Sequence, residues 1–361
     1  MDPTQELHES GQSLWLDNIT RELLTSGTLA RYINDLSVTG LTSNPTIFDQ
    51  AIESTSAYDE TISRLRAAGL VGEELFFELA LEDLRSAADL FQPIWARTNG
   101  VDGWVSLEVS PLLASDAERT LAEALRLAAK ADRPNLLIKI PGTPEGLHAV
   151  EESIFAGVPV NVTLLFSPEQ YLAAAEAYLR GVERRVASGL DPAVGSVASV
   201  FVSRWDVAVK DRVAPELANR LGIAVAKQTY RAYRELLDAP RFKRLAKEGA
   251  RAQRLLWAST GTKDPHAPDV LYVRALAASF TVNTMPEKTL LAFAEHGDVA
   301  EMLAADGGDA EATLAAFTQA GVDVGELGRD LQKQGAEAFD RSWGQLLDCI
   351  ARKTQALAGT Q

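Results

Sequence analysis

Cysteine and histidine are scarce in this sequence of 361 residues, which has one cysteine and four histidines. Cys349 has no partner for a disulfide within the chain, and the helical pattern around it predicts a packing role. The histidines lie at positions 8, 148, 266 and 296, so no two have the close spacing of metal ligands. An internal disulfide framework is therefore excluded, no metal site is indicated, and we expect the protein to need no cofactor.

Positive charge and long apolar runs are also in short supply. Lys and Arg total 35 against 50 Asp and Glu, and the formal net charge of -15 repels a nucleic-acid backbone. No apolar stretch approaches the length of a membrane span, and residues 1–6 are acidic and polar where a secretory signal is basic and then apolar. We therefore expect no nucleic acid and no membrane as partners, and a cytoplasmic location.

The sequence lacks a linker rich in Pro, Ser or Gly, and its composition does not shift along the chain. With 46% hydrophobic and 24% charged residues, it is typical of a globular protein with a sizeable core. We therefore predict a single domain over residues 1–361.

Short apolar runs with β character recur between longer helical patterns, and their number is that of a (β/α)₈ TIM barrel, an α/β fold. The predicted strands are Leu14 to Asp17, Ser37 to Asn44, Trp104 to Ser110, Asn135 to Pro141, Pro159 to Phe166, Ser196 to Arg204, Arg254 to Thr260 and Thr281 to Thr284. The alternative fold is a doubly wound open sheet. No Gly-x-Gly-x-x-Gly turn follows the first predicted strand, so we favour the barrel.

Helix start signals lie between the predicted strands. The pairs Thr143-Pro144 and Ser167-Pro168 each place an N-cap residue before a proline at the first helical position. Ser115 with Glu118 has the spacing of a capping box. These signals predict helices that follow the strands, as the barrel requires.

Additional helices are predicted in two connections and after the last strand. The connections 45–103 and 205–253 are each long enough for a pair of helices, and the segment from about 287 to 361 is helical in pattern. Within that segment apolar residues recur every three or four positions, which favours core packing over a partner site. They are Phe339, Trp343, Leu346, Leu347 and Ile350. We predict that this C-terminal extension packs against the barrel and covers its mouth.

Lys139 interrupts the apolar run 135–141, which otherwise predicts a buried strand. Burial disfavours the charged form of an amine, and a neutral lysine amine can condense with a ketone. The alternative is a lysine at the end of an ordinary strand whose ammonium group reaches solvent. Lys139 alone does not decide between these two interpretations.

Other polar residues lie at or near the C-terminal ends of the predicted strands, where barrel enzymes place their active sites. They are Asp17, Asn44, Glu108, Asn161, Thr163, Ser199, Arg204, Ser259 and Thr260. Asn161 and Thr163 are two positions apart and so point to the same face of their strand. Structural roles stay open for single residues, such as helix capping by Asp17, a turn at Asn44 and a solvated strand end at Glu108.

A lysine beside carboxylates and amides suits the cleavage of a carbon–carbon bond next to a carbonyl. A protonated imine on the lysine accepts the electrons of the broken bond. One carboxylate must take a hydroxyl proton to start the cleavage, and a second acid or a water relay must serve imine formation and hydrolysis. Asp17 and Glu108 fit these two needs.

Several stretches together resemble the transaldolase family in their order and spacing. They are residues 41–46 (LTSNPT), 107–109 (LEV), 137–141 (LIKIP), 160–167 (VNVTLLFS), 257–263 (WASTGTK) and 284–288 (TMPEK). The resemblance runs from the first predicted strand to the last, and the C-terminal helices match less distinctively. It implies a metal-free barrel enzyme of the pentose phosphate pathway that moves a dihydroxyacetone unit between sugar phosphates through a lysine imine.

The resemblance implies a catalytic role for four residues. Lys139 forms the imine, and Asp17 is the general acid/base that takes the hydroxyl proton during cleavage. Glu108 and Thr163 hold a catalytic water for imine formation and release.

The resemblance also implies substrate-binding roles. Asn44 and Asn161 bind the hydroxyls of the three-carbon unit, whereas Ser199 and Arg204 bind the phosphate. A planar and permanently charged guanidinium suits a phosphate better than an outward-facing surface role. Lys263 follows Ala258-Ser259 at a spacing that differs from another branch of the family, where a basic residue comes sooner, and we expect it to reach the phosphate.

Phe201 bears on the choice between related enzymes. Fructose 6-phosphate aldolases resemble transaldolases but carry a tyrosine at the matching position, whose hydroxyl helps to position water for imine hydrolysis. Phenylalanine therefore favours a transferase.

Two functions of different classes stay open, a metal-dependent aldolase and a non-catalytic barrel that binds sugar phosphates or a protein partner. The sequence also leaves open whether the protein is a monomer or a homodimer.

Overall fold

A computed structural model of the protein describes residues 2–299 and 301–358. Eight parallel strands close into a barrel in which each strand pairs with its neighbours in sequence order. They are β1 (Ser13–Asp17), β2 (Val38–Thr42), β3 (Val105–Glu108), β4 (Leu136–Pro141), β5 (Val160–Leu165), β6 (Ser196–Phe201), β7 (Gln253–Ala258) and β8 (Val282–Met285). The prediction of a (β/α)₈ TIM barrel is confirmed.

Helices surround the barrel and fill its longer connections. They are α1 (Pro3–Glu9), α2 (Arg21–Thr25), α3 (Thr28–Asp35), α4 (Pro45–Ser54), α5 (Asp59–Ala67), α6 (Gly72–Arg97), α7 (Ala117–Ala131), α8 (Pro144–Ala156), α9 (Pro168–Ala187), α10 (Ser203–Val209), α11 (Leu221–Asp238), α12 (Pro240–Lys247), α13 (Leu271–Ala275), α14 (Glu287–His296), α15 (Ala310–Gln319) and α16 (Val324–Ala358). The two long connections hold three helices each, α4 to α6 and α10 to α12, where a pair was predicted. Most of these helices are short, and only α6 and α11 exceed ten residues.

The strands are buried along almost their whole length because helices cover the outside of the barrel and side chains fill its interior; Asp17 at the end of β1 is partly buried. Every residue of β4, β5, β6 and β7 is buried. This two-sided burial explains why the sequence shows continuous apolar runs rather than alternation.

Several helices begin where the sequence predicts. Thr143 accepts a hydrogen bond from the amide of Gly146 at the start of α8, and Ser167 forms a capping box with Gln170 at the start of α9. The prediction at Ser115 was wrong by one residue. Asp116 is the N-cap of α7, and its carboxylate accepts from the amide of Arg119 at 3.0 Å.

Five predicted strands end earlier than expected. The strands β2, β3 and β5 stop one or two residues early, at Thr42, Glu108 and Leu165. The early ends of β6 and β7 change where polar residues lie. The strand β6 stops at Phe201, and Arg204 lies in the first turn of α10 rather than on the strand. The strand β7 stops before Ser259, whose φ of 57° belongs to the left-handed region and breaks the extended backbone. The turn into α10 and the left-handed backbone at Ser259 both bring polar groups to the mouth of the barrel, at the C-terminal ends of the strands.

The opposite end of the barrel, its floor, contains a buried ionic cluster. Arg254 donates from Nη2 to Ser13 Oγ and to the carbonyl of Thr281, both at 2.7 Å. Asp102 lies 3.9 Å from the guanidinium and accepts from Trp15 Nε1 at 2.8 Å. The cluster joins the N-terminal ends of β1, β7 and β8 to the segment before β3.

The C-terminal helix α16 packs along the barrel and reaches its mouth. Trp343 packs against Phe76 at 5.0 Å between ring centroids, and Leu346 and Ile350 are buried beside it. Gln332 donates to the carbonyls of Gly142 and Leu164, both at 3.0 Å. Trp343, Leu346 and Ile350 of the predicted apolar stripe are therefore core packing, and these contacts support the prediction of one domain.

Candidate active site

A cavity of about 320 Å³ opens at the mouth of the barrel. Nine of the ten predicted site residues line it: Asp17, Asn44, Lys139, Asn161, Thr163, Ser199, Phe201, Arg204 and Lys263. The tenth, Glu108, is buried beside Lys139 on the neighbouring strand, with which it is in register. The fold thus brings together residues that are up to 246 positions apart in the sequence, between Asp17 and Lys263.

Lys139 lies in β4 with its amine inside the barrel and 6% of the residue exposed. Its Nζ donates to the carbonyl of Ser43 at 2.9 Å and to Glu108 Oε2 at 3.2 Å. The ring centroid of Phe339 lies 5.9 Å from the same nitrogen. The amine does not reach bulk solvent, so the structural alternative of a lysine snorkelling from a strand end is wrong.

Glu108 and Thr163 each keep one buried oxygen without a hydrogen-bond partner among the described residues. These atoms are Glu108 Oε1 and Thr163 Oγ1. Burial raises the pKa of the Glu108 carboxyl, and the positive charge and hydrogen bond of Lys139 oppose this rise. Buried polar atoms are normally paired with protein or water, so these two oxygens mark a place for a small polar molecule.

Asp17 is the last residue of β1 and is partly buried. Its Oδ1 accepts from Thr42 Oγ1 at 2.7 Å. Burial raises the pKa of the carboxyl, whereas Lys139, the hydrogen bond of Thr42 and Lys263 act in the opposite direction. Asp17 does not cap the following helix, because Thr20 does so by accepting from the amide of Leu23.

Two amide side chains enter the cavity from different elements. Asn161 is fully buried, accepts from Ser199 Oγ at 2.7 Å and donates to Ser106 Oγ at 3.1 Å. Asn44 caps α4 by accepting from the amide of Ile47 at 3.1 Å, so its structural role is that of a helix cap rather than of the turn considered from the sequence. That bond uses only Oδ1 and leaves the amide nitrogen of Asn44 available to the cavity.

The rim of the cavity carries two cations without an acidic partner. Arg204 is half-buried and forms no salt bridge or side-chain hydrogen bond within residues 2–299 and 301–358. Its guanidinium carbon lies 5.4 Å from the ring centroid of Phe201, and burial lowers its pKa. Lys263 is exposed in the loop after β7, and the same described ranges contain no ion pair for it. The rim is therefore electropositive although the protein as a whole is acidic.

Sequence reasoning assigned no site role to half of the residues that line the cavity, and three of these bear on its chemistry. Phe339 of α16 lines it, although the apolar stripe predicted only core packing. Thr42 and Thr284 also line it, and both stand at C-terminal strand ends, so their position was a signal that could have found them. Thr260, another residue at a predicted strand end, bonds instead to Asn283 Oδ1 at 2.8 Å, inside the barrel.

Two features are absent from the part of the chain that the structure describes. Within it, no group of three or more His, Cys, Asp or Glu side chains is arranged to hold a metal ion. None of its helices combines the length and the apolar character needed to cross a membrane.

Similarity to known proteins extends beyond these residues. A family model described as transaldolase/fructose-6-phosphate aldolase matches residues 14–350. A protein of Saccharopolyspora erythraea named transaldolase is 44% identical over 353 residues and covers 96% of each chain. Proteins with the same name from Thermobifida fusca and Thiobacillus denitrificans are also 44% identical, over 98% and 96% of this chain and 99% of their own. The similarity therefore runs from β1 into α16.

Proposed function

The chain belongs to the transaldolase/fructose-6-phosphate aldolase family and is a transferase of the transaldolase type, and we propose that it works through an imine on Lys139. It moves a dihydroxyacetone unit from sedoheptulose 7-phosphate or fructose 6-phosphate to glyceraldehyde 3-phosphate or erythrose 4-phosphate. The observation that carries the proposal is the buried amine of Lys139, 3.2 Å from Glu108, in a cavity with a cationic rim.

Imine formation requires Lys139 to give up a proton before its nitrogen attacks the ketose carbonyl. The hydrogen bond from Nζ to Glu108 Oε2 offers the route, because burial raises the pKa of Glu108 and makes its carboxylate a better proton acceptor. Glu108 then returns the proton to the carbinol oxygen, which leaves as water. In this scheme Lys139 is the nucleophile and Glu108 the proton shuttle.

The water that leaves, and that later hydrolyses the imine, is assigned to Glu108 and Thr163. Both residues have a buried oxygen that lacks a partner among the described residues. A water between them can donate to the carboxylate and exchange a hydrogen bond with the hydroxyl. The unpaired oxygens thus support the catalytic pair that the sequence predicted.

Asp17 is assigned the acid/base role in carbon–carbon cleavage. It takes the proton of the hydroxyl on the departing aldose, whose carbonyl forms as the bond breaks and the electrons pass into the imine. Burial raises the pKa of Asp17, which suits a group that must both accept and return a proton. A positioned acid/base of this kind contributes about 10² to 10⁴ in rate.

The remaining predicted residues bind the substrate. The amides of Asn44 and Asn161, with the hydroxyl of Ser199, are suited to the hydroxyls of the three-carbon unit. Arg204 and Lys263 are suited to the phosphate, because both face the rim without a carboxylate partner among the described residues.

Transfer, rather than release of free dihydroxyacetone, is favoured by the wall of the cavity. Phe201 and Phe339 are both among its lining residues, and neither ring can hydrogen-bond to a water. An imine intermediate in such surroundings is protected from hydrolysis until an aldose phosphate arrives. This observation favours a transaldolase over a fructose 6-phosphate aldolase.

The experiment that tests the proposal is borohydride reduction of the protein with fructose 6-phosphate and no acceptor, followed by peptide mass spectrometry. We expect a reduced three-carbon adduct on Lys139, which requires both imine formation and cleavage. Lys243, an exposed lysine of α12, is the internal control and should stay unlabelled.

A second readout from the same mixture separates transferase from aldolase. Free dihydroxyacetone should form much more slowly than transfer product forms once an aldose phosphate is added. An adduct on another lysine would contradict the role of Lys139. No adduct at all would leave a barrel that binds sugar phosphates without catalysis, and free dihydroxyacetone as the main product would favour the aldolase.

The proposal extends to location and assembly. Sugar phosphates are retained inside cells because charged groups cross membranes at great cost, so a cytoplasmic enzyme fits these substrates. The assembly is a monomer or a homodimer. Size-exclusion chromatography with light scattering measures which form is present.

A further inference from the structure

Thr42 and Thr284 connect Asp17 to a third strand of the barrel. Thr42 Oγ1 donates to Asp17 Oδ1 at 2.7 Å and lies 2.6 Å from Thr284 Oγ1. The three residues come from β1, β2 and β8, which are neighbours in the closed barrel. Thr42 and Thr284 are only 3% and 4% exposed, yet both line the cavity with Asp17.

The direction of these hydrogen bonds follows from the number of hydrogens available. A hydroxyl has one hydrogen and two lone pairs, and an ionised carboxylate can only accept. When Asp17 is ionised, the Thr42 hydroxyl donates its one hydrogen to Asp17. Thr284 must therefore donate to Thr42. When Asp17 is protonated on Oδ1, both bonds can reverse, with Asp17 donating to Thr42 and Thr42 donating to Thr284.

We propose that Thr284, acting through Thr42, is a positioning residue that holds the acid/base Asp17 in one orientation in both of its protonation states. The inference rests on the proposed function, in which Asp17 takes the hydroxyl proton of the donor and later returns it to the carbonyl oxygen of the acceptor. Between these events one aldose phosphate leaves and another enters. The proton stays on Asp17 throughout, and reversal of the two hydroxyls changes only which oxygen donates.

A pH profile can detect this arrangement because the hydroxyl pair favours the ionised carboxylate. Donation from Thr284 polarises the Thr42 hydroxyl and strengthens its bond to the anion. The charged groups that face Asp17 are Lys139 from β4, Lys263 from the loop after β7 and Glu108 from β3. Replacing Thr284 leaves all three in place. A change in the ionisation of Asp17 would then report on the hydroxyl pair alone.

The test is Thr284→Val, which keeps the β-branched shape and removes only the hydroxyl. We expect kcat for transfer to fall about tenfold, the equivalent of one hydrogen bond, with little change in the KM of the donor. The acid limb of the kcat profile should move to higher pH. Thr284→Ser, which restores a hydroxyl, should recover most of both effects.

Thr39→Val is the matched control. Thr39 is a buried threonine on the same strand as Thr42, its hydroxyl lies 3.4 Å from the carbonyl of Leu14, and it lies outside the cavity. This variant should keep the wild-type pH profile. An equal change in the profiles of Thr39→Val and Thr284→Val would mean a general loss of packing and would overturn the inference.

Borohydride trapping adds a readout of the step at which Asp17 acts. If cleavage slows, the adduct on Lys139 in Thr284→Val should shift towards the uncleaved ketose phosphate at early times. Asp17→Asn separates this inference from the proposed function. Full activity in Asp17→Asn would refute the role of Asp17 itself, whereas an inactive Asp17→Asn beside an unshifted Thr284→Val would refute only the hydroxyl pair.

Discussion

The floor and the mouth of the barrel both bury charged side chains, but they satisfy them to different degrees. At the floor the two Nη atoms of Arg254 bond to Ser13 Oγ and to the carbonyls of Thr281 and Val101, and Asp102 accepts from Trp15. Only Nε of that guanidinium lacks a partner among the described residues. At the mouth, in contrast, a whole guanidinium and one oxygen each of Glu108 and Thr163 lack a hydrogen-bond partner among the described residues.

The open groups at the mouth are the Arg204 side chain, Glu108 Oε1 and Thr163 Oγ1, which have no hydrogen-bond or ion-pair partner within the described ranges. A polar group left open inside a protein lowers stability unless something else binds it. The comparison teaches that the hydrogen-bonding of the charged groups differs between the floor and the cavity proposed to receive substrate, although the neutral Gln12 Oε1 and Gln253 Oε1 near the floor also lack a partner among the described residues.

Lys139→Ala should give the largest change. Removing the nucleophile should lower transfer by more than about 10⁴-fold, because Lys263, which also lines the cavity, is exposed at the rim and does not lie beside Glu108. The fold should persist, since Glu108 can bind a proton once its partner is gone. A coupled transfer assay and thermal unfolding measure the two effects. Turnover that survives in this variant would contradict the mechanism.

Arg254→Met tests the opposite end of the barrel. It leaves Asp102 buried without its cation, so the free energy of unfolding should fall by about 3–5 kcal/mol while kcat of the folded enzyme stays near that of the wild type. Urea unfolding followed by fluorescence measures the loss. The control is Arg180→Met, which breaks an exposed ion pair with Glu151 and should cost at most about 1 kcal/mol. Equal losses in both variants would remove the distinction between floor and surface.

Arg204→Met should have the opposite effects to Arg254→Met, because it should weaken substrate binding without lowering stability. The KM for phosphorylated substrates should rise by about 10- to 100-fold, because the variant loses a charge-assisted phosphate contact. The free energy of unfolding should be unchanged or higher, since a half-buried cation without a partner among the described residues is removed. Steady-state kinetics with phosphorylated and unphosphorylated sugars, and urea unfolding, measure both. A clear loss of stability would show that Arg204 is structural.

Asp206 is a further case for the comparison. It lies near the mouth, yet both of its carboxylate oxygens accept hydrogen bonds from the protein. It accepts from the amide of Leu221 and from the hydroxyl of Tyr272, both at 2.8 Å. Burial nevertheless raises the pKa of Asp206 to about 6 from 3.8, against the effect of these hydrogen bonds. By the criterion of satisfaction, Asp206 is structural.

The raised pKa of Asp206 sets the sign of a pH effect on stability. Between pH 3.8 and 6 the folded protein binds more protons at this site than the unfolded chain does. Its contribution to stability is therefore present at low pH and is lost as the pH rises through 6. Relative to Asp206→Asn, the wild type should lose roughly 2 kcal/mol between about pH 4.5 and pH 7. Urea unfolding of both proteins across this range measures the difference, and parallel curves would refute the assignment.

The barrel and half of the residues that line the cavity could be predicted because their signals are local. Buried parallel strands give apolar runs, and polar residues at the ends of those runs, such as Asp17 and Lys139, must meet at one end of a closed barrel. The end of β6 could not be predicted, since the chain turns into α10 where the amides of Val202 and Ser203 donate to the carbonyls of Ala258 and Ser259 at the end of β7. The N-cap at Asp116 was missed because two adjacent residues can both cap.

Other features depended on contacts that no short pattern contains. Phe339 belongs to an apolar stripe in which Trp343 packs against α6, and nothing in its spacing shows that one ring enters the cavity. The pairing of Thr42 with Thr284 joins strands 242 residues apart. The hydrogen bonds of Arg254 at the floor likewise depend on the closure of β7 onto β8 and β1.

The helix α16 also has a consequence for the order of events during synthesis. Lys139 and its neighbours leave the ribosome long before Phe339, which stands 200 positions later in the chain. A nascent chain can therefore pair its strands before Phe339, which lines one side of the cavity, has been synthesised. Until α16 docks, an imine on Lys139 would lack the side chain of Phe339 beside it, so transfer without loss to hydrolysis should begin only once the last helix is in place.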